Sequence, residues 1–153
     1  PLWNADVRGS FVGLTLSHKK EHLIRAALEG VLYNLYSVFL ALVEVMDHPV
    51  TSIKATGGFA RSELWRQMLA DIFDQEVIIP ESHESSCLGA CLLGLYAFGK
   101  IDSFDVVNEW IGKTHQHKPV PSHVREYRKW IPVFIRLSRV LAPEYNQFAT
   151  LKP

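Results

Sequence analysis

The sequence predicts an α/β fold in which short parallel strands are packed by long helices. Three observations carry this reading. An apolar run of helical period ends near residue 47, two short β-branched stretches follow near residues 53 and 78, and each of those stretches leads into another helical run. The order helix, strand, helix, strand, helix places both strands parallel in one sheet, joined by a right-handed crossover.

Residues 1–17 are rich in glycine, aromatic and turn residues, and predict an ordered loop holding one short strand. Ser17 then stands as a helix N-cap before apolar residues at Leu23, Ile24, Ala27, Leu28, Val31, Leu32, Leu35, Phe39, Leu42, Val43 and Met46. That period predicts a long, mostly buried helix. Asp47, His48 and Pro49 stop it. Residues 50–56 read as a strand ended by Gly57 and Gly58, and residues 61–73 as a helix with Leu64, Trp65, Met68, Leu69 and Ile72 inward. Residues 77–79 make the second strand. After a loop at 80–85, a third helix runs to about 98, with Gly89 and Gly94 read as places of close backbone or helix approach. Residues 100–122 are expected as an irregular connection with one short helix. Residues 122–141 predict an amphipathic helix bent at Pro132, with Tyr127, Trp130, Ile131, Phe134 and Leu137 on its buried side.

Two short parallel strands cannot form a stable sheet alone, because each needs backbone partners and cover on both faces. Further strands are expected from residues 1–17, from a partner chain, or from an α/β domain whose earlier strands precede Pro1. The last source is preferred, and a start at Pro1 within a loop agrees with an excised or processed piece.

The chain has 153 residues, one domain's worth, with 48% hydrophobic and 21% charged side chains, which excludes a disordered or fibrous class. Sixteen basic residues balance sixteen acidic ones, so no global field draws it to nucleic acid or an anionic membrane. The balance hides a polarity: residues 113–153 hold 8 basic and 2 acidic side chains, against 8 and 14 in residues 1–112. Arg, Glu, Asn or Gly interrupts each apolar run, so no membrane span is expected. Two cysteines, Cys87 and Cys91, make no disulfide framework, and a reducing, cytoplasmic setting is expected.

The strand-to-helix stretch Lys54-Ala-Thr-Gly-Gly-Phe-Ala-Arg-Ser-Glu-Leu-Trp65 carries the sharpest chemical signal. In open α/β sheets, ligands bind at the C-terminal ends of strands, where small residues let a ligand lie on bare backbone. Neither the P-loop spacing nor the dinucleotide G-x-G-x-x-G pattern is present. A tight turn requiring a positive φ explains the glycine pair equally well.

This stretch, with Gln67 and Met68, followed by Glu84-Ser-Ser-Cys-Leu-Gly-Ala90, resembles the C-terminal domain of the FGGY carbohydrate kinases. Pro1-Leu-Trp with residues 5–9 and Gly13-Leu14 resembles the family's loop, and Arg25-Ala-Ala-Leu-Glu-Gly30 its long helix. The resemblance spans residues 1–98. Among members, the wording Thr-Gly-Gly-Phe-Ala-Arg-Ser is most like that of gluconate kinases, with xylulose and glycerol kinases as alternatives. It implies a fragment of a ribonuclease-H-like domain of the actin-like ATPase architecture: residues 1–112 as the later part of the second domain, and residues 113–153 as a basic connection and helical extension of it. It also implies ATP and Mg²⁺ as cofactors and a sugar or sugar acid as substrate. Gly57 and Gly58 then approach the adenosine of ATP, and Ser62, four residues after the second glycine, helps hold it. Glycerol kinases have Asn at the position of Ser62, and Phe59 departs from the triple glycine of xylulose kinases.

The family's catalytic aspartate and its phosphate loops belong to regions before Pro1, so no catalytic and no metal-binding residue is expected here, and the chain alone is expected to be inactive. Its expected partners are the missing N-terminal domain and, through open strand edges, other copies of itself. A stand-alone nucleotide-binding or regulatory module and a helical interaction domain are the competing readings.

The remaining candidates have blander explanations. Cys87 and Cys91 read as inert core thiols more readily than as a metal pair, and His115 and His117 as a solvated pair. Glu84 reads as a helix-dipole partner. Glu29-Gly30 reads as a site of close helix packing, and Trp3 and Arg8 as pins of the first loop. The basic residues Arg125, Arg128, Lys129, Arg136 and Arg139 read as a solvated helix face, not a nucleic-acid site.

Overall fold

A computed structural model describes residues 4–80, 85–112 and 114–151. Among these it has helices α1 (Lys20–Val43), α2 (Glu63–Phe73), α3 (Ser85–Ala97), α4 (Val107–Trp110) and α5 (Pro121–Thr150), and strands β1 (Ser52–Lys54), β2 (Glu76–Pro80) and β3 (Thr114–His117). Short 3-10 turns cover Gly58–Arg61 and Phe104–Val106. Trp3 and Glu84 lie outside the described residues. The chain forms two compact units, Val50–Val120 and a second made of Pro1–Pro49 with Pro121–Pro153.

The Val50–Val120 unit holds the sheet. β1 and β2 pair in parallel, Ser52 opposite Glu76 and Lys54 opposite Ile78, as the crossover predicts. The sheet also has a third strand. β3 pairs antiparallel to β2, with Val77 opposite His117 and Pro80 opposite Thr114. The segment expected as an irregular connection therefore supplies a strand, and the sheet is mixed, in the order β1-β2-β3. The sequence Thr-His-Gln-His has no apolar alternation because every residue from Thr114 to Gln116 is exposed, so its pairing left no hydrophobic trace.

Val77 and Ile79 point to one face of β2 and are fully buried, as are Met68, Leu69, Ala70, Ile72 and Phe73 of α2 or nearly so. Leu64, expected inward, is 52% exposed, and Trp65 is half-buried. Asp71 is the charged residue buried among them, 2% exposed. Its Oδ1 accepts from Gln67 Nε2 at 2.9 Å and from the Val120 N–H at 2.8 Å. Gln67 Nε2 also donates to the Lys118 carbonyl at 2.9 Å. This polar clamp ties the chain leaving β3 to α2. Asp74 closes α2 in the left-handed conformation, φ 51°.

In the other unit, described residues 4–19 form turns and no strand, so this segment adds nothing to the sheet. Arg8 Nη1 donates to the Ala5 carbonyl at 2.9 Å, which makes it a pin of that loop. The first loop is tied to α5 by Asn4 on Asn146 and Ser10 on Tyr145. Ser17 is not the cap of α1. Its hydroxyl bonds Thr15 Oγ1 at 2.8 Å, and the Lys19 N–H instead donates to His22 Nδ1 at 3.0 Å, so the helix starts three residues later.

Only Leu32 and Tyr33 of α1 are buried, while Ile24, Val31 and Leu35 are each half exposed. The mostly buried helix that the period predicts is thus largely uncovered in this chain. With an 18-residue stretch of mean hydropathy 1.6, α1 is also long and apolar enough, by length and composition, to cross a bilayer. Arg25 and Glu29 pair with each other on this helix, Nε to Oε1 at 2.8 Å. Tyr127 of α5 completes the cluster, taking a hydrogen bond from Arg25 at 3.0 Å and donating one to Glu29 at 3.0 Å. Burial, opposed by the Arg25 hydrogen bond, pushes the Tyr127 hydroxyl up to about 12. Glu29 therefore serves this clasp, whereas a Cβ added at Gly30 would meet nothing within 4 Å, so no close packing needs that glycine.

α5 continues through Pro132 and Pro143 to Thr150, past the expected end at 141. Each proline removes one backbone hydrogen bond, and the inward residues Val124, Tyr127, Ile131 and Tyr145 keep the helix seated on both sides of them. Trp130, expected inward, is 59% exposed.

Candidate functional site

The glycine pair sits where the sequence places it, at the C-terminal end of β1. The Ala55 N–H reaches the Ile78 carbonyl at 3.0 Å, so the pairing of β1 with β2 extends to the residue before Thr56. Gly57 then adopts φ 117°, ψ −176°, a conformation open only to glycine. The positive φ demanded by a tight turn thus falls on Gly57 alone. Gly58 lies in the 3-10 turn, is exposed, and a Cβ built on it would meet nothing within 4 Å. Space is open at both glycines, and only the first is required by its backbone conformation.

The turn after them is closed by its own hydrogen bonds. The Ala60 N–H donates to the Gly57 carbonyl and the Ser62 N–H to the Phe59 carbonyl, both at 3.0 Å. Ala60 is fully buried and anchors the turn. Ser62 is the N-cap of α2, its hydroxyl accepting from the Trp65 N–H at 3.3 Å. Its O–H remains able to donate outward. Phe59 and Trp65 pack edge to face, 5.8 Å between centroids and 85° between planes.

A cleft of about 370 Å³ opens beside this turn, lined by Lys54 at the end of β1 and Thr56 after it, Ile78 and Pro80 of β2, Leu88 and Leu92 of α3, and Asn108 and Thr114. It meets the glycine turn through Thr56. Its volume is in the range of small-molecule sites. Asn108 and Thr114 carry no local motif, and their place in the cleft depends on β3, so pattern alone could not have found them. Asp71 left a fainter signal, as one half of a Gln67–Asp71 pair at helical spacing on the inner side of α2.

Other candidates separate from the site. Cys87 and Cys91 are both exposed in this chain, which corrects their reading as core thiols. A Cβ at Gly89 or Gly94 would meet nothing within 4 Å, so neither glycine marks a close approach here. His115 and His117 lie on β3. His117 is half-buried, and burial, followed by the nearby Arg66 charge, holds its imidazole below the ordinary 6.5. Among the described residues, no three His, Cys, Asp or Glu side chains gather as a metal site. Arg128, Arg136 and Arg139 border an open groove of about 770 Å³ with Tyr36 and Leu40 of α1 and Ile131, Pro132 and Ile135 of α5.

Residues 1–98 match the family described as FGGY family of carbohydrate kinases, C-terminal domain. Over 149 residues the chain is 69% identical to a gluconokinase of Bacillus subtilis (strain 168), a match covering 97% of this chain and 29% of that protein. Among solved structures, a ligand-bound xylulose kinase from Lactobacillus acidophilus superposes with a TM-score of 0.83 at 34% identity, over 97% of this chain and 30% of that one. A gluconate kinase from Lactobacillus acidophilus superposes with a TM-score of 0.82, also at 34% identity, over 97% of this chain and 30% of that one. The chain therefore spans less than a third of the length of these relatives.

Proposed function

Because the chain belongs to the FGGY family of carbohydrate kinases, matching its C-terminal domain, we propose that it supplies the nucleotide side of an ATP-dependent kinase that phosphorylates a hydroxyl of a sugar acid. Gluconate is the preferred substrate, on the strength of 69% identity to a gluconokinase. The observation that carries the nucleotide assignment is the place of the glycine pair, in the turn that follows the C-terminal end of β1 and leads into α2, where open α/β sheets bind their ligands. Adenosine lies there against bare backbone. Ser62 holds it through the hydroxyl proton that its capping role leaves free. ATP brings the transferable phosphoryl group, and Mg²⁺, which the family implies, is assigned to no described residue of this chain.

The fold reading extends the same way. The mixed sheet with α2 and α3 is taken as the later part of a ribonuclease-H-like domain, with residues 1–112 in that part and residues 113–153 as its helical extension. The apolar surface of α1 is then the core-facing stripe of a larger domain, a class of helix that passes the same length and hydropathy test as a membrane span. On this reading the kinase is cytoplasmic, and the domain carrying the catalytic base is the partner this chain needs.

A coupled ADP-release assay with ATP, Mg²⁺ and gluconate tests the proposal. The chain alone gives no substrate-dependent turnover, and the full-length kinase containing it does. Turnover by the chain alone overturns the division of labour. Preference of the full-length enzyme for xylulose or glycerol overturns the gluconate assignment only.

A further inference from the structure

We propose that Phe59 is a base-stacking residue, an aromatic shelf for the purine of ATP beside the bare backbone of Gly58. The inference rests on the nucleotide reading above and names a residue that sets its specificity.

Phe59 follows Gly58 directly, inside the 3-10 turn Gly58–Arg61 that runs into Ser62. The Ser62 N–H closes this turn on the Phe59 carbonyl at 3.0 Å. One closed turn thus carries both Phe59 and Ser62, with the exposed Gly58 adjoining Phe59 in the chain.

The ring is also held in place. Trp65 donates its N–H to Ser62 Oγ at 3.3 Å and packs against Phe59 at 5.8 Å and 85°. The three residues close a loop of contacts: backbone from Ser62 to Phe59, cap from Trp65 to Ser62, ring from Phe59 to Trp65. The near-perpendicular arrangement leaves at least one face of the Phe59 ring clear of Trp65. Phe59 and Trp65 are each half-buried, so part of their aromatic surface stays open to a ligand. A rigid, half-open ring beside a glycine is the arrangement that stacking needs, because every base has a π-face and little entropy is lost in ordering the shelf.

The test uses the full-length kinase and steady-state kinetics. Phe59→Leu keeps apolar volume and removes the π-face. The KM for ATP is expected to rise about tenfold, with kcat at saturating ATP and the KM for sugar unchanged. The KM for CTP should rise less, since a pyrimidine offers less surface to stack. Phe59→Tyr should restore ATP affinity. A structural role alone would change stability without altering the ATP-to-CTP ratio. If Phe59→Leu leaves the KM for ATP unchanged while Gly58→Val raises it, the shelf is wrong and the glycine site stands. If neither variant moves it, the nucleotide reading itself is wrong. Should Phe59→Leu fail to fold, Phe59→Met serves instead, read by the same ATP-to-CTP ratio of KM values, and an unchanged ratio in the folded variant overturns the inference.

Discussion

Replacing Gly58 by valine in the full-length kinase separates a ligand effect from a folding effect. Gly58 does not have the left-handed φ of Gly57, and its Cβ would find nothing within 4 Å. The chain itself should tolerate the side chain, with a stability change within about 0.5 kcal/mol. A ligand lying on the backbone would not. The first added carbon alone moves van der Waals contact outward by one C–C bond, about 1.5 Å. Displacements of roughly 1 Å can cost a positioned reaction 10²-fold, so kcat/KM for ATP should fall by about 10- to 100-fold, mostly through KM. The KM for sugar should change little. Gly57→Ala is the contrasting control: at φ 117° it imposes strain of roughly 1–3 kcal/mol and should lower the melting temperature. The assay is ADP release with each substrate varied, beside a thermal melt of each variant. A folded Gly58→Val enzyme with an unchanged KM for ATP refutes the reasoning, and the glycine pair is then a turn and nothing more.

The outer edge of β1 has no strand partner among the described residues, and α1 exposes Ile24, Val31 and Leu35, so this chain by itself should self-associate. Light scattering showing a clean monomer over a wide concentration range, with slow amide exchange at Ile53 and Ala55, would contradict this. Asp71→Ala strips the acceptor from Gln67 and from the half-buried Val120 N–H and should cost about 1–3 kcal/mol in chemical denaturation. Asp71→Asn, which keeps an oxygen at the Oδ1 position, should cost less. His117 has its folded pKa below the ordinary value, so its contribution to stability is complete above about pH 6.5 and is lost as the pH falls through the folded pKa. An NMR titration of His117 at or above 6.5, or a stability profile between pH 7 and 5 that His117→Gln leaves unaltered, would remove this assignment.

Much of the fold was legible because local chemistry decided it. The parallel pairing of β1 with β2 follows from two β-branched stretches separated by an amphipathic helix. The turn at Gly57 follows from a residue type that alone tolerates its φ, whereas the start of α2 at Glu63, capped by Ser62, falls two residues after the expected 61. The family was legible for the same reason, since the motif around these positions keeps its spacing. What the sequence could not decide lay in long-range pairing. β3 is a polar, exposed strand specified by the edge of β2 and by the Asp71 clamp, and neither neighbour is near it in sequence. The open cleft between Lys54, Asn108 and Thr114 exists only because that strand folds back. Likewise, periodicity marked one face of α1 as apolar but not whether anything covers it, because a hydrophobic stripe records the need for burial and only tertiary packing supplies the partner.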